Sequence, residues 1–213
     1  NFEKEFLSDQ MKKNGFSDKK MHYHKIWIAD EGKRFSSKIK NFINNDLLAI
    51  VVNFVDQLAH RRSESDVLKE MVPDESGYRK AVSNWYAKSW IKNVLYELSL
   101  AGYNVIMTSD HGSVMVSEWA TVSADKSSST GIRYKYGTNI NTSDKKALDI
   151  RILNEYRLPD LGVRANYLIA KDNFYFVYPN EQKKYQRMLQ NSFQHGGISI
   201  EEMLIPVLTM KPI

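Results

Sequence analysis

The run Leu47–Val55, LLAIVVNFV, constrains the fold more than any other stretch of the chain. A near-continuous series of aliphatic and β-branched residues suits a strand covered on both faces, as in a parallel sheet. MHYHKIWIA reads as an earlier strand from His22 to Ala29, and YNVIMTS as a later one. Between the first two strands, Phe35, Ile39, Phe42 and Ile43 fall on one face of a predicted helix. Residues 57–71 and 74–101 are also predicted helical, with Pro73 interrupting them and Gly102 placed as a carboxyl-terminal cap. Residues 2–14 add a helix through Phe2, Phe6, Leu7 and Met11. This alternation predicts an α/β fold, an open and mostly parallel sheet flanked by helices.

The pattern changes after Gly112. SVMVSEWATVS, GIRYKYG, ALDIRIL, NYLIA and NFYFVY are short strand-like pieces between polar or glycine-containing connectors. They predict three segments: a first part of the core over 1–112, a largely β insertion over 113–180 at the carboxyl edge of the sheet, and a return to the core over 181–213. The return begins with a helix near 181–191. KSSST, Lys126–Thr130, reads as a mobile loop inside the insertion.

The absence of cysteine excludes disulfides, thiolate nucleophiles and cysteine-held zinc, so a bound metal must use His, Asp or Glu. No apolar run approaches the ~18 residues that span a bilayer, and the start lacks the apolar centre of a signal peptide. Both point to a cytoplasmic setting. The net charge of +5 fits either an ordinary basic surface or an anionic phosphate ligand. No helix carries the dense basic stripe that binding along a DNA backbone requires.

Three clusters then stand out. DQLAH places Asp56 and His60 four residues apart, neighbours on a helix face, either as a surface pair or as ligands for a divalent ion. SDHG sets Asp110 and His111 at a strand end with Gly112 letting the chain turn; Asp110 reads as a ligand or as a turn-capping acid. QHGG puts His195 before two glycines, either at a binding site or at a glycine-capped helix end. His22 and His24, alternating within a strand, read as structural or surface residues. Arg133, Tyr134 and Lys135 in GIRYKYG are candidates for contacting an anionic substrate, through phosphate pairing and base stacking, or else protect an edge strand. Arg61 and Arg62 follow His60 and reach either the pocket or a carboxylate. Glu201–Met203 reads as a helix start.

In this order the clusters resemble the alkaline phosphatase superfamily, and specifically the PglZ domain. NNDLLAIVVNFVDQLAHRRSE, TSDHG, GIRYKYG, FYFVYPN and FQHGGISIEEMLIPV resemble the PglZ effector domain of PorX-type two-component response regulators. The resemblance implies two zinc ions, with Mn²⁺ an alternative. Asp56, His60 and His195 would hold one. Asp110 and His111, with an upstream Asp and a Thr or Ser nucleophile, would hold the other. Such a site stabilises the attacking and leaving oxygens of a phosphoryl displacement. No equivalent of that upstream strand stands in residues 1–50, and the chain does not begin with Met. The nucleophile is therefore expected upstream of residue 1, in a longer parent of which this is a carboxyl-terminal fragment, weakly active or inactive alone.

Two functions follow from the resemblance. One is a zinc phosphodiesterase acting on a phosphate-ester substrate of nucleotide type, including oligonucleotides. The other is a non-catalytic signalling module with a structural or vestigial metal site. That module would take a transcription partner, with a sensor kinase acting through the parent. A sheet edge left by a missing strand would favour a dimer.

Overall fold

The computed structural model describes residues 2–123, 129, 131–142, 145–159 and 165–212. In chain order these form α1 (Glu3–Lys13), β1 (Met21–Ile26), α2 (Ala29–Ser37), β2 (Leu47–Val52), α3 (Phe54–Glu64), α4 (Asp66–Met71), α5 (Glu75–Lys88), α6 (Ile91–Leu100) and β3 (Val105–Thr108). There follow β4 (Val114–Val116), β5 (Glu118–Thr121), β6 (Tyr134–Thr138), β7 (Ala147–Ile150), β8 (Ala165–Ala170), β9 (Phe174–Val177), α7 (Gln182–Leu189), β10 (Ser192–Gln194), α8 (Ile200–Met203) and β11 (Val207–Met210). The architecture is mixed α/β. Apart from Ser129, the predicted KSSST loop lies outside the described residues. Among those residues no helix is long and apolar enough to cross a membrane.

Two compact units divide the chain. The first comprises Asn1–Leu58, Arg79–Ile106 and Leu208–Ile213. Here β1 and β2 pair in parallel from Met21↔Leu47 to Ile26↔Val52, and β3 pairs with β11. The apolar run of β2 thus forms the parallel strand its composition predicts, within a small sheet rather than a wide one. Ile26, Phe35, Ile39, Val94 and Leu98 are buried together, with Leu48, Ile50, Trp90 and Val105 packed around them. The rings of His22 and His24 stack on Phe42 and Phe35 at 4.3 and 4.5 Å, which makes both histidines structural. Burial, with His24 and Lys4 nearby, lowers the pKa of His22, so its ring stays neutral near pH 7.

The predicted 74–101 helix is two helices, broken at Ser89–Trp90. α6 ends as the sequence predicts. Gly102 adopts φ +78°, its N–H bonds the Ser99 carbonyl, and the Tyr103 N–H bonds that of Leu98, a Schellman closure. On α2, Gly32 passes directly over the Trp90 indole; a Cβ there would lie 2.0 Å from its Cε2 and Nε1. Gly32→Ala is therefore expected to lower stability by about 1–3 kcal/mol through overpacking, read as a fall in Tm.

The second unit comprises Ala59–Tyr78 and Met107–Val207. It contains the antiparallel sheet β6–β8–β7, the parallel pair β5–β9 and the antiparallel pair β4–β10. One apolar cluster gathers Ala120, Val122, Ile140, Leu168, Ala170 and Phe176. A second gathers Val114, Val116, Tyr175, Val177 and Leu189. His195 follows the short strand β10, where the sequence left open a helix end.

Candidate metal centre

Strand register brings two histidines of the second unit together. β10 runs antiparallel to β4 with Gln194 opposite Val114. The residues just after β10 and just before β4 must therefore meet, and these are His195 and the His111–Gly112 turn. The rings of His111 and His195 stack with centroids 3.9 Å apart and planes 16° from parallel. His60, from the part of α3 that belongs to this unit, presents Nε2 at 3.2 Å from Nε2 of His195.

The chemistry of these nitrogens suits a cation. The Nδ1 of His111 lies 3.0 Å from the Gly112 carbonyl, an acceptor, so in the neutral ring Nδ1 holds the proton and Nε2 keeps its lone pair. A carbonyl behind the ring is the usual support of a metal-binding histidine. Zinc–nitrogen bonds of about 2.0–2.1 Å at a tetrahedral angle place two nitrogens about 3.3 Å apart, close to the separation of His60 and His195. Asp110 reaches toward the cluster, with Oδ1 3.8 Å from His111 Nε2, and also accepts from the His111 N–H at 3.1 Å. The bond from the His111 N–H is what the turn-capping reading of Asp110 expects, and its side chain is otherwise exposed. Asp56 stands one helical turn before His60 on α3.

The glycines beside the histidines are there because backbone passes close. A Cβ on Gly112 would lie 1.9 Å from the Glu201 carbonyl oxygen. Gly196 adopts φ +102°, with the Tyr134 ring where its side chain would be, and a Cβ on Gly197 would meet the Arg133 guanidinium at 2.4 Å.

Arg133 and Lys135 correct the sequence reading. Both face inward, Lys135 from β6 and Arg133 from just before that strand, but that side is the core. Arg133 is fully buried. Its guanidinium bonds the Glu202 carboxylate and the carbonyls of Lys171, Asp172 and Phe174, which leaves it no reach to a substrate. Lys135, 3% exposed, donates to the Ser129 carbonyl at 3.2 Å and lies over the Tyr178 ring. Tyr134 differs: it is 40% exposed and its ring abuts Gly196, next to His195. Arg62 is buried and donates to the carbonyls of Val72, Pro73 and Asn191, which fixes the His60 helix to the segment leading into β10.

Glu201–Met203 forms the helix start the sequence predicts, but the role of Glu202 goes further. The spacing Ser199-x-x-Glu202 is a capping-box signature and forms one here, with Ser199 Oγ accepting from the Glu202 N–H and the Glu202 carboxylate accepting from the Ser199 N–H at 3.0 Å. Nothing local announces that the same carboxylate meets Arg133.

The model of the BREX system PglZ alkaline phosphatase-like domain matches residues 1–210. The chain belongs to the PglZ family. Its fold is therefore alkaline-phosphatase-like, a class of typically metal-dependent hydrolases. No curated protein matches this PglZ chain. Among solved structures it is similar to phosphonoacetate hydrolase from Sinorhizobium meliloti 1021 in complex with phosphonoformate. Identity is 12% and the TM-score 0.49, over 85% of this chain and 50% of that one. The PglZ chain thus spans half of that hydrolase chain.

Proposed function

We propose that this chain carries the metal-binding half of a zinc phosphodiesterase acting on nucleotide-type phosphate esters. The observation that carries the reading is the convergence of His60, His111 and His195, with two Nε2 atoms at 3.2 Å. In this reading Asp56, His60 and His195 hold one ion, and Asp110 and His111 contribute to a second. When bound, the ions would polarise a phosphoryl oxygen and lower the pKa of a hydroxyl nucleophile. The chain's own part is to fix those donors. The Gly112 carbonyl sets the His111 tautomer, and the β4–β10 register sets its distance to His195.

A row of tyrosines supports a nucleotide-type substrate. Tyr134 and Tyr136 share the outer face of β6, with ring centroids 6.3 Å apart and nearly parallel planes. Tyr167 on β8 continues the row at 5.5 Å. Aromatic rings leading away from a phosphate-handling centre suit successive bases, each worth about 1–3 kcal/mol of stacking. Tyr134→Ala in the full-length parent is expected to lower kcat/KM about 5–150-fold for a dinucleotide. Methyl phosphodiesters, which carry no base, should be cleaved unchanged. Equal losses on both substrates would remove the stacking role. The same reading, resting on the motif resemblance, places the domain as a cytoplasmic effector of a two-component response regulator, with sensor-kinase input, a transcription partner and a dimeric parent.

A further inference from the structure

We infer that Glu202 is a positioning residue for the histidine cluster, held in place by Arg133. This rests on the metal-site reading above. Glu202 lies outside every metal-ligand motif, yet it ties both histidine-bearing loops to one point. Its carboxylate, 2% exposed, accepts from the Gly197 N–H at 2.8 Å and the Ser199 N–H at 3.0 Å, in the loop that leaves His195. Its backbone carbonyl accepts from the Gly112 N–H at 3.0 Å, in the residue after His111. The other peptide face of Gly112 carries the carbonyl that sets the His111 tautomer. A single residue thus fixes where both rings stand.

Arg133 makes this arrangement stiff. Its Nε donates to Glu202 Oε1 at 2.9 Å and Nη2 donates to Oε2 at 2.5 Å, a two-pronged pair of the most directional kind. Arg133 also bonds carbonyls of the β8–β9 turn, Lys171 and Asp172, and of Phe174 at the start of β9, so the clamp is anchored in the sheet region rather than in the loops it holds. The three close approaches at Gly112, Gly196 and Gly197 leave no slack for a different loop path.

The test uses the full chain with Zn²⁺ as probe and compares Glu202→Gln with Val122→Ala, a buried core variant remote from the cluster. Glu202→Gln is expected to weaken zinc by up to about 10–100-fold by chelator competition, the scale of losing the support behind a metal-ligating histidine, here acting indirectly through the Gly112 and Gly197 backbone. It should also shift the imidazole ¹⁵N–¹H signals of His111 and His195 in metal-free protein. Val122→Ala should lower Tm and change neither. The inference is overturned if Glu202→Gln leaves affinity and ring signals as in the unaltered chain, or if Val122→Ala moves both to the same degree. Should Glu202→Gln not fold, Glu202→Asp is read by the same two signals. If the unaltered chain takes up no zinc, the metal reading fails separately, and the ring signals of the metal-free protein decide the clamp alone.

Discussion

On the proposed function, His195→Ala should abolish high-affinity zinc binding and, with it, zinc-dependent phosphodiester turnover. His195 touches both other rings of the cluster, edge-on to His60 and stacked on His111, so its removal takes away the common member of both contacts. The loss should exceed the ~10–100-fold drop that follows removal of an outer-sphere partner, because a donor itself is gone. Tm of the metal-free protein should change little, since the ring is only partly buried and lies outside both apolar clusters of the second unit. Chelator competition and thermal unfolding, run side by side, separate the two effects. Undiminished zinc-dependent turnover in this variant would refute the role given to His195.

Arg133→Ala should act on stability first, with zinc binding weakened as a consequence of the freed Glu202 carboxylate. It leaves the Glu202 carboxylate buried and without its charge partner, and breaking such a pair costs about 3–5 kcal/mol. Against a total of about 5–15 kcal/mol for a typical domain, that brings the second unit close to unfolding. Arg133→Lys should rescue little, because one ammonium cannot serve the carboxylate and three carbonyls at once. The paired replacement Arg133→Met with Glu202→Leu should recover much of the Tm while leaving zinc binding weak. A substrate-contacting Arg133 would instead raise KM and spare Tm, so thermal melts of the single variant distinguish the two.

Acid should act through the same pair. Burial pushes the Glu202 carboxyl up, but hydrogen bonds from Arg133, Gly197 and Ser199 outweigh it and hold the group below its ordinary value. A depressed folded pKa contributes stability above the unfolded value of about 4.3, and that contribution is lost as pH falls through the folded pKa. The Glu202→Gln variant should therefore show a shallower loss of Tm below about pH 4.3 than the unaltered chain.

Which parts were legible follows from what is local. β2 could be read because its unbroken aliphatic run suits a parallel strand. Its residues are only partly buried and Leu47 is exposed, so the covering on both faces that the run predicts is not what the strand shows. The three histidines could be found because glycine and acid neighbours mark tight turns at element ends, and Gly102 because its closure uses only adjacent backbone. The break at Ser89–Trp90 was not legible: the helical spacing continues across it, and the Gly32 contact with Trp90 is made by a segment more than fifty residues away. Arg133 misled for the same reason. On a strand its charge reads as outward, and only its long-range partner, Glu202, explains why it points into the core. The position of His195 depended on the β4–β10 register, which pairs residues 114 and 194 and leaves no mark on either segment alone.

Anomalous diffraction at the zinc edge, from crystals of the chain grown with zinc, tests the central claim most directly. A peak about 2.0–2.1 Å from Nε2 of both His60 and His195 is the predicted result. Zinc found only at other surface sites, with the three rings packed as bare imidazoles, would contradict it.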